Sequence, residues 1–96
     1  MTSLHWLPEA KDDIQRLHQF LHGKNVAAAA RMVDTLLNGA DRLLMFPEQG
    51  TPLNDKLKRR ELFLPFGGGS YVLRYRLERE KIIVIRVWHS RELREG

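Results

Sequence analysis

The stretch Arg59–Arg91, RRELFLPFGGGSYVLRYRLEREKIIVIRVWHSR, decides the fold of this 96-residue chain. Glu61 to Phe66 alternates, with Leu62, Leu64 and Phe66 on one side. Tyr71 to Leu77 alternates again, with Tyr71, Leu73, Tyr75 and Leu77 on one side and Val72, Arg74 and Arg76 on the other. Such period-2 patterns between turn signals predict half-buried antiparallel strands. Gly67-Gly68-Gly69 and the charged run Glu78–Lys81 supply the turns. Ile82 to Trp88 is apolar on both sides, as expected of a strand covered on both faces. The segment reads as a three-stranded meander.

The faces constrain the register between the last two strands. A two-residue turn after Leu77 would set Tyr75 against Val84 and Arg74 against Ile85. A turn of odd length sets Tyr75 against Ile85 and Arg74 against Arg86. The second places Leu73, Tyr75 and Leu77 on one core face with Ile83, Ile85 and Val87. A one-residue slip flips every side chain, so burial selects this register. It brings Arg74 and Arg86 together on the face away from the core. Like charges directly opposite are destabilising. Either an anion binds between them or each reaches solvent or a carboxylate of its own.

Working outward, the N-terminal part is helical. Leu4 to Leu7 suits a short strand. Pro8 suits a first helical turn, with Glu9, Asp12 and Asp13 where the helix dipole favours negative charge. Ala10, Ile14, Leu17 and Leu21 form one helical stripe with Phe20 at its margin, and Gly23 marks the stop. Asn25 caps a second helix that runs toward Phe46. Its stripe is Ala29, Val33, Leu36, Ala40 and Leu43, widened by Met32, Leu37 and Leu44. Gly39 either admits the first helix closely or is tolerated. PEQGTPLNDK, residues 47–56, reads as a loop. The short link between the helices predicts an antiparallel hairpin. The fold class is α+β: a short N-terminal strand, then an antiparallel helix hairpin packed on a mostly antiparallel sheet, in a single domain over residues 1–96.

Composition narrows the function classes. The chain is 43% hydrophobic and 29% charged, as globular proteins are. It has no cysteine, hence no disulfide framework, thiolate nucleophile or zinc–thiolate site. No apolar run reaches membrane-span length, and MTSLHWLPEA lacks the regions of a signal peptide, so a cytoplasmic location without membrane contact is expected. Sixteen Lys and Arg against twelve Asp and Glu give +4, which favours an anionic partner. Between Lys56 and Arg94 stand eleven basic residues and only Glu61, Glu78, Glu80 and Glu92 as acids, so the basic surface belongs to the sheet and tail.

The whole chain resembles the RelE/ParE superfamily of bacterial toxins. The resemblance is carried by Trp6-Leu7-Pro8-Glu9-Ala10 with Asp13, by Ala29-Ala30-Arg31, and by Leu44, Pro47 and Gly50. Arg60-Glu61, Tyr71-Val72-Leu73-Arg74-Tyr75-Arg76 and Ile85-Arg86-Val87-Trp88-His89-Ser90-Arg91 complete it. It implies the toxin of a type II toxin–antitoxin system, linked with plasmid stabilisation. Its implied partner is a small, acidic, partly disordered, DNA-binding antitoxin. ParE-like members act on DNA gyrase without nuclease activity; RelE-like members cut mRNA in the ribosomal A site. The Trp6–Ala10 pattern, Ala29-Ala30-Arg31 and Arg60-Glu61 are more similar to the ParE branch. A gyrase inhibitor is therefore expected, with a ribosome-dependent endonuclease as alternative and a non-toxic antitoxin-binding relative as a third.

The RelE branch places an arginine between the tyrosines of the middle strand; Val72 stands there. Arg74 would have to act from about 7 Å along the strand. Cutting RNA through its 2′-hydroxyl needs a base, an acid and cations for the phosphorane. If the chain is a ribonuclease, His89 with Arg74, Arg86 and Arg91 is the candidate set; otherwise His89 is a strand-end packing residue. Arg60, Arg74, Arg76, Arg86, Trp88, His89 and Arg91 are the candidate target- or antitoxin-binding residues. No metal, cofactor or small-molecule substrate is expected. His18 and His22 have metal-ligand spacing but no third ligand, and read as wet-face histidines. The triple glycine precedes a strand rather than a helix, so it reads as a turn and not a phosphate cradle.

Overall fold

The computed structural model describes residues 1–92. Arg94, counted above with the basic residues, lies outside the described residues. The elements are β1 (Ser3–Trp6), α1 (Pro8–His22), α2 (Val26–Arg42), β2 (Thr51–Pro52), β3 (Arg59–Phe66), β4 (Gly69–Glu78) and β5 (Lys81–His89). They build one sheet in the order β1-β5-β4-β3-β2, with β1 parallel to β5 and the other pairs antiparallel. The α1–α2 hairpin covers the face that carries Leu62, Leu64, Tyr71, Leu73, Tyr75, Ile82, Val84 and Val87. This is the α+β arrangement expected.

Local chemistry sets the helix ends. Pro8 opens α1 and Glu9 lies in its first turn. Gly23 ends it in right-handed geometry, φ −67°, so the stop is not a left-handed glycine. Two residues later the Asn25 side chain accepts the Ala28 N–H at 3.0 Å and starts α2. α2 stops at Arg42, four residues short of Phe46. The Leu43, Leu44 and Met45 amides bond three residues back rather than four, tightening the chain into a turn before Pro47. Met32, Leu36, Ala40 and Leu43 are fully buried, whereas Leu37 and Leu44, expected to widen that stripe, are 43% and 38% exposed. Gly39 admits β3 rather than α1. A Cβ there would stand 2.6 Å from Leu64 Cδ1.

The loop after α2 holds an element that the sequence did not announce. Thr51 and Pro52 pair with Glu61 and Arg60 as a two-residue edge strand, a place proline tolerates because its missing N–H faces outward. Tyr75 and Arg60 tie this loop to the sheet. The buried Tyr75 hydroxyl accepts the Gly50 N–H and donates to the Pro47 carbonyl, both at 2.8 Å. Burial pushes its pKa up. Arg60 Nη1 donates to the Glu48 and Gly50 carbonyls at 2.9 and 2.8 Å.

Both registers considered between β4 and β5 occur, on either side of a bulge. The Arg79–Glu80 turn has two residues, with Arg79 at φ 57°, and sets Tyr75 against Val84. Past Ile85 the pairing slips by one, so Arg74 faces Arg86 and Leu73 faces Val87. The core face of β5 is therefore Ile82, Val84 and Val87, not Ile83, Ile85 and Val87. The short turn dictates the near register, and the extra residue at Ile85 restores burial of Val87 beyond it. The glycine turn is likewise shorter than its sequence: Gly67 and Gly68 turn, Gly67 at φ 59°, and Gly69 already pairs with Phe66.

Candidate functional site

The seven candidate residues lie in four places rather than one. Arg60 serves the loop latch just described. Arg74, Arg76 and Trp88 belong to the sheet face that, among the described residues, no helix covers. His89 and Arg91 sit at the far end, beside the Gly67–Gly68 turn. Arg86 is committed elsewhere.

Arg86 shows what the bulge is for. β1 ends at Trp6, opposite Val84, so β5 has a bare edge beyond it. Asp13 of α1 fills that edge. Its Oδ2 accepts the Val87 N–H at 2.8 Å and Arg86 Nε at 2.8 Å. Its Oδ1 accepts Arg86 Nη2 and Arg16 Nη1, each at 3.1 Å. Arg16 in turn holds Glu92 at 3.0 Å. The Arg86 pKa is raised, first by its hydrogen bonds to Asp13 and then by the Asp13 charge. Asp13 is 4% exposed, the one buried charged side chain among the described residues. Sequence reasoning assigned it only to the helix dipole. The missed signal is its spacing: Ala10, Asp13 and Leu17 share the inward stripe of α1.

Arg74 and Arg86 are register partners, as expected, but each has its own carboxylate. Arg74 Nε and Nη2 both donate to Glu61 Oε2, at 3.0 and 2.7 Å, across the β3–β4 pair. The Arg74 guanidinium also lies 5.0 Å from the centre of the Trp88 ring. So the arrangement is two separately neutralised arginines, not a joint anion clamp. Arg76 reaches Glu78 at 3.4 Å. Arg59 is bound to Asp55 at 2.7 Å, and this hydrogen bond holds the Asp55 carboxyl below its ordinary pKa against a smaller opposing effect of burial.

Beside that ionic row runs an apolar one. Phe63 faces Val72, and Val72 faces Trp88, across three adjacent strands. Val72 is 3% exposed and Ile83 8%, yet neither belongs to the main core cluster. Both lie on the uncovered face, sheltered by their neighbours. Phe63 is 52% exposed in the middle of β3. Nothing in the sequence reading singled it out, although strand alternation places it opposite the buried Leu62 and Leu64.

At the other end, α1 and the β3–β4 turn enclose a groove of about 730 Å³. Leu17, Phe20, Leu21, Phe66 and Tyr71 give it apolar walls; Arg16, His89 and Arg91 edge it. Tyr71 is buried, and burial, then the Glu92 charge, raises its pKa. His89 packs its ring edge-on to Tyr71 at 4.9 Å. Its Nδ1 accepts the Arg91 N–H at 3.2 Å. The His18 and His22 rings are 5.5 Å apart, and among the described residues no group of three potential ligands could hold a metal. No helix there is long and apolar enough to cross a membrane.

Comparison with known proteins places this geometry in context. Residues 4–94 match the family model described as ParE toxin of type II toxin-antitoxin system, parDE. The chain is 32% identical over 94 residues to Toxin RelE3 of Caulobacter vibrioides, covering 98% of this chain and 100% of that one. It is 38% identical over 85 residues to Toxin RelE1 of the same organism, covering 88% and 89%. The structure of the chromosomal ParDE TA system from P. aeruginosa is similar at a TM-score of 0.72 and 16% identity, covering 93% of this chain and 96% of that one. At that identity the likeness speaks for the fold.

Proposed function

The chain belongs to the ParE family of toxins from type II toxin–antitoxin systems, and from that premise we propose that it arrests growth by binding DNA gyrase, without cutting RNA. The observation that carries this reading is Val72. Where the resemblance to ribonucleolytic relatives calls for an arginine, this chain has a valine buried between Phe63 and Trp88. The neighbouring cations do not make up for it. Arg74 is held by Glu61 and Arg86 by Asp13, while cleavage needs cations free to meet a phosphorane. His89 has its Nδ1 engaged by the Arg91 amide. A surface that binds, rather than a site that reacts, fits these commitments.

The family also implies a cognate antitoxin. A basic chain with an apolar groove suits a small acidic antitoxin whose disordered segment folds on contact. The groove between α1 and the β3–β4 turn, walled by Leu17, Phe20, Leu21, Phe66 and Tyr71, offers this segment an apolar seat.

The test is a gyrase assay with purified, antitoxin-free protein, scoring supercoiling inhibition and trapped DNA cleavage on a gel. Inhibition at micromolar protein or below is expected. Folded, antitoxin-binding protein without effect on gyrase would refute the reading. Ribosome-dependent mRNA cleavage is then the second reading, favoured by the names of the two Caulobacter relatives. Replacing His89 by Ala separates the two: growth arrest survives if the toxin acts by binding. Overproduction without antitoxin that fails to slow growth would leave only an inactive, antitoxin-binding relative.

A further inference from the structure

We propose that the uncovered face of the sheet, anchored by Phe63, is the surface on which the folded protein target of this toxin docks. The inference rests on the reading of the chain as a toxin that acts by binding. It replaces the expected cationic contact with an apolar one.

Three observations carry it. First, the face is apolar at its centre. Phe63, Val72 and Trp88 form a row across β3, β4 and β5, and among the described residues no helix covers them. A half-exposed phenylalanine in mid-strand costs solubility and gives the fold little, whereas aromatic anchors dominate protein–protein binding. Second, the charges beside the row are already paired. Glu61 neutralises Arg74, which is 22% exposed, and Arg74 is stacked over Trp88. A nucleic acid would need these cations for its phosphates. An interface centre, by contrast, is poor in free charge and flanked by a polar rim. Third, the rim is polar with a small basic surplus. Arg59 and Arg76 are paired with Asp55 and Glu78, and the exposed Lys81 lies on the same face. The matching partner presents an apolar side chain with a polar, mildly acidic surround.

Shape selects the class of partner. The groove beside α1 is concave and suits a segment that folds on binding. The sheet face is broad, and its side chains are held in place by cross-strand pairs, which suits a partner already folded. The two surfaces lie on opposite sides of β4, so the toxin has separate places for antitoxin and target.

The experiment compares wild type with Phe63→Ser, Phe63→Lys and Phe63→Tyr. Each is checked for fold by circular dichroism, for gyrase inhibition, for growth arrest, and for binding to the antitoxin co-expressed from the adjacent gene. Phe63→Ser and Phe63→Lys are expected to lose about ten-fold or more in inhibition and growth arrest, the loss expected of a central anchor. Antitoxin affinity stays within about two-fold, because the Phe63 side chain is on the sheet face opposite the groove. Phe63→Tyr keeps the ring and stays near wild type. Growth arrest by Phe63→Ser and Phe63→Lys at wild-type levels overturns the inference, as does equal loss of target and antitoxin binding in folded protein. The gyrase reading fails separately. If wild type arrests growth without touching gyrase, the target is another protein or the ribosome, and the growth-arrest comparison still judges Phe63.

Discussion

Replacing Asp13 by Ala tests whether Arg86 belongs to the fold or to the working surface. Asp13 receives four donors: Arg86 Nε and Nη2, Arg16 Nη1 and the Val87 amide. The arginine side chains are 46% and 43% exposed, so both guanidiniums regain water when the carboxylate is removed. Screening limits each pair to about 0.5 kcal/mol. The Val87 N–H is different. It lies on the buried bare edge of β5, and leaving it unpaired costs about 1–3 kcal/mol. The sum is about 2–4 kcal/mol, a large share of the stability of a 96-residue domain. Asp13→Asn keeps one acceptor oxygen for Val87 but loses the charge and turns an NH2 donor toward the arginines, so about half that loss is expected. Urea unfolding followed by circular dichroism measures both. In thermal melts the Ala variant should fall by on the order of 15 °C. Arg86→Gln should destabilise by about 1 kcal/mol or less, and gyrase inhibition by the folded fraction should be unchanged. A loss below about 1 kcal/mol for Asp13→Ala would refute the account of the bare edge. Loss of inhibition by stable Arg86→Gln would show that the arginine contacts the target.

Two further outcomes concern the elements that frame the sheet. Gly39→Ala drives a Cβ against Leu64, which is 4% exposed and has nowhere to go; a loss of about 1–3 kcal/mol in chemical denaturation is expected, and a neutral result would mean that α2 and β3 part freely. Tyr75 keeps its proton more tightly folded than unfolded, so its contribution is whole below pH 10, its ordinary value, and is lost as pH rises through the raised folded value. Stability should therefore fall above about pH 10 in the wild type and show less of that fall in Tyr75→Phe, which itself loses about 1–3 kcal/mol at neutral pH through the unpaired Gly50 amide; identical alkaline profiles would exclude the latch.

What the sequence determined by itself was local. Alternation in Glu61–Phe66 and Tyr71–Leu77 set the strands and their faces, because a side chain on a strand has only two sides to choose from. Pro8, Asn25 and the apolar stripes set the helix hairpin in the same way. The +4 charge and its concentration after Lys56 were equally legible. Pairing was not. The slip at Ile85 depends on the two-residue turn at one end of β5 and on burial of Val87 at the other, two demands that no window of sequence contains together. The strand at Thr51–Pro52 exists only because Glu61 and Arg60 lie beside it. The candidate site was decided later still. Whether Arg74 and Arg86 share an anion or take separate carboxylates stayed open until Glu61 and Asp13, 13 and 73 residues away, arrived to neutralise them. Phe63 read as one more strand residue until the fold left its face uncovered. A side chain's charge and size are written at its own position; whether that charge is spent or that ring exposed depends on what folding brings alongside.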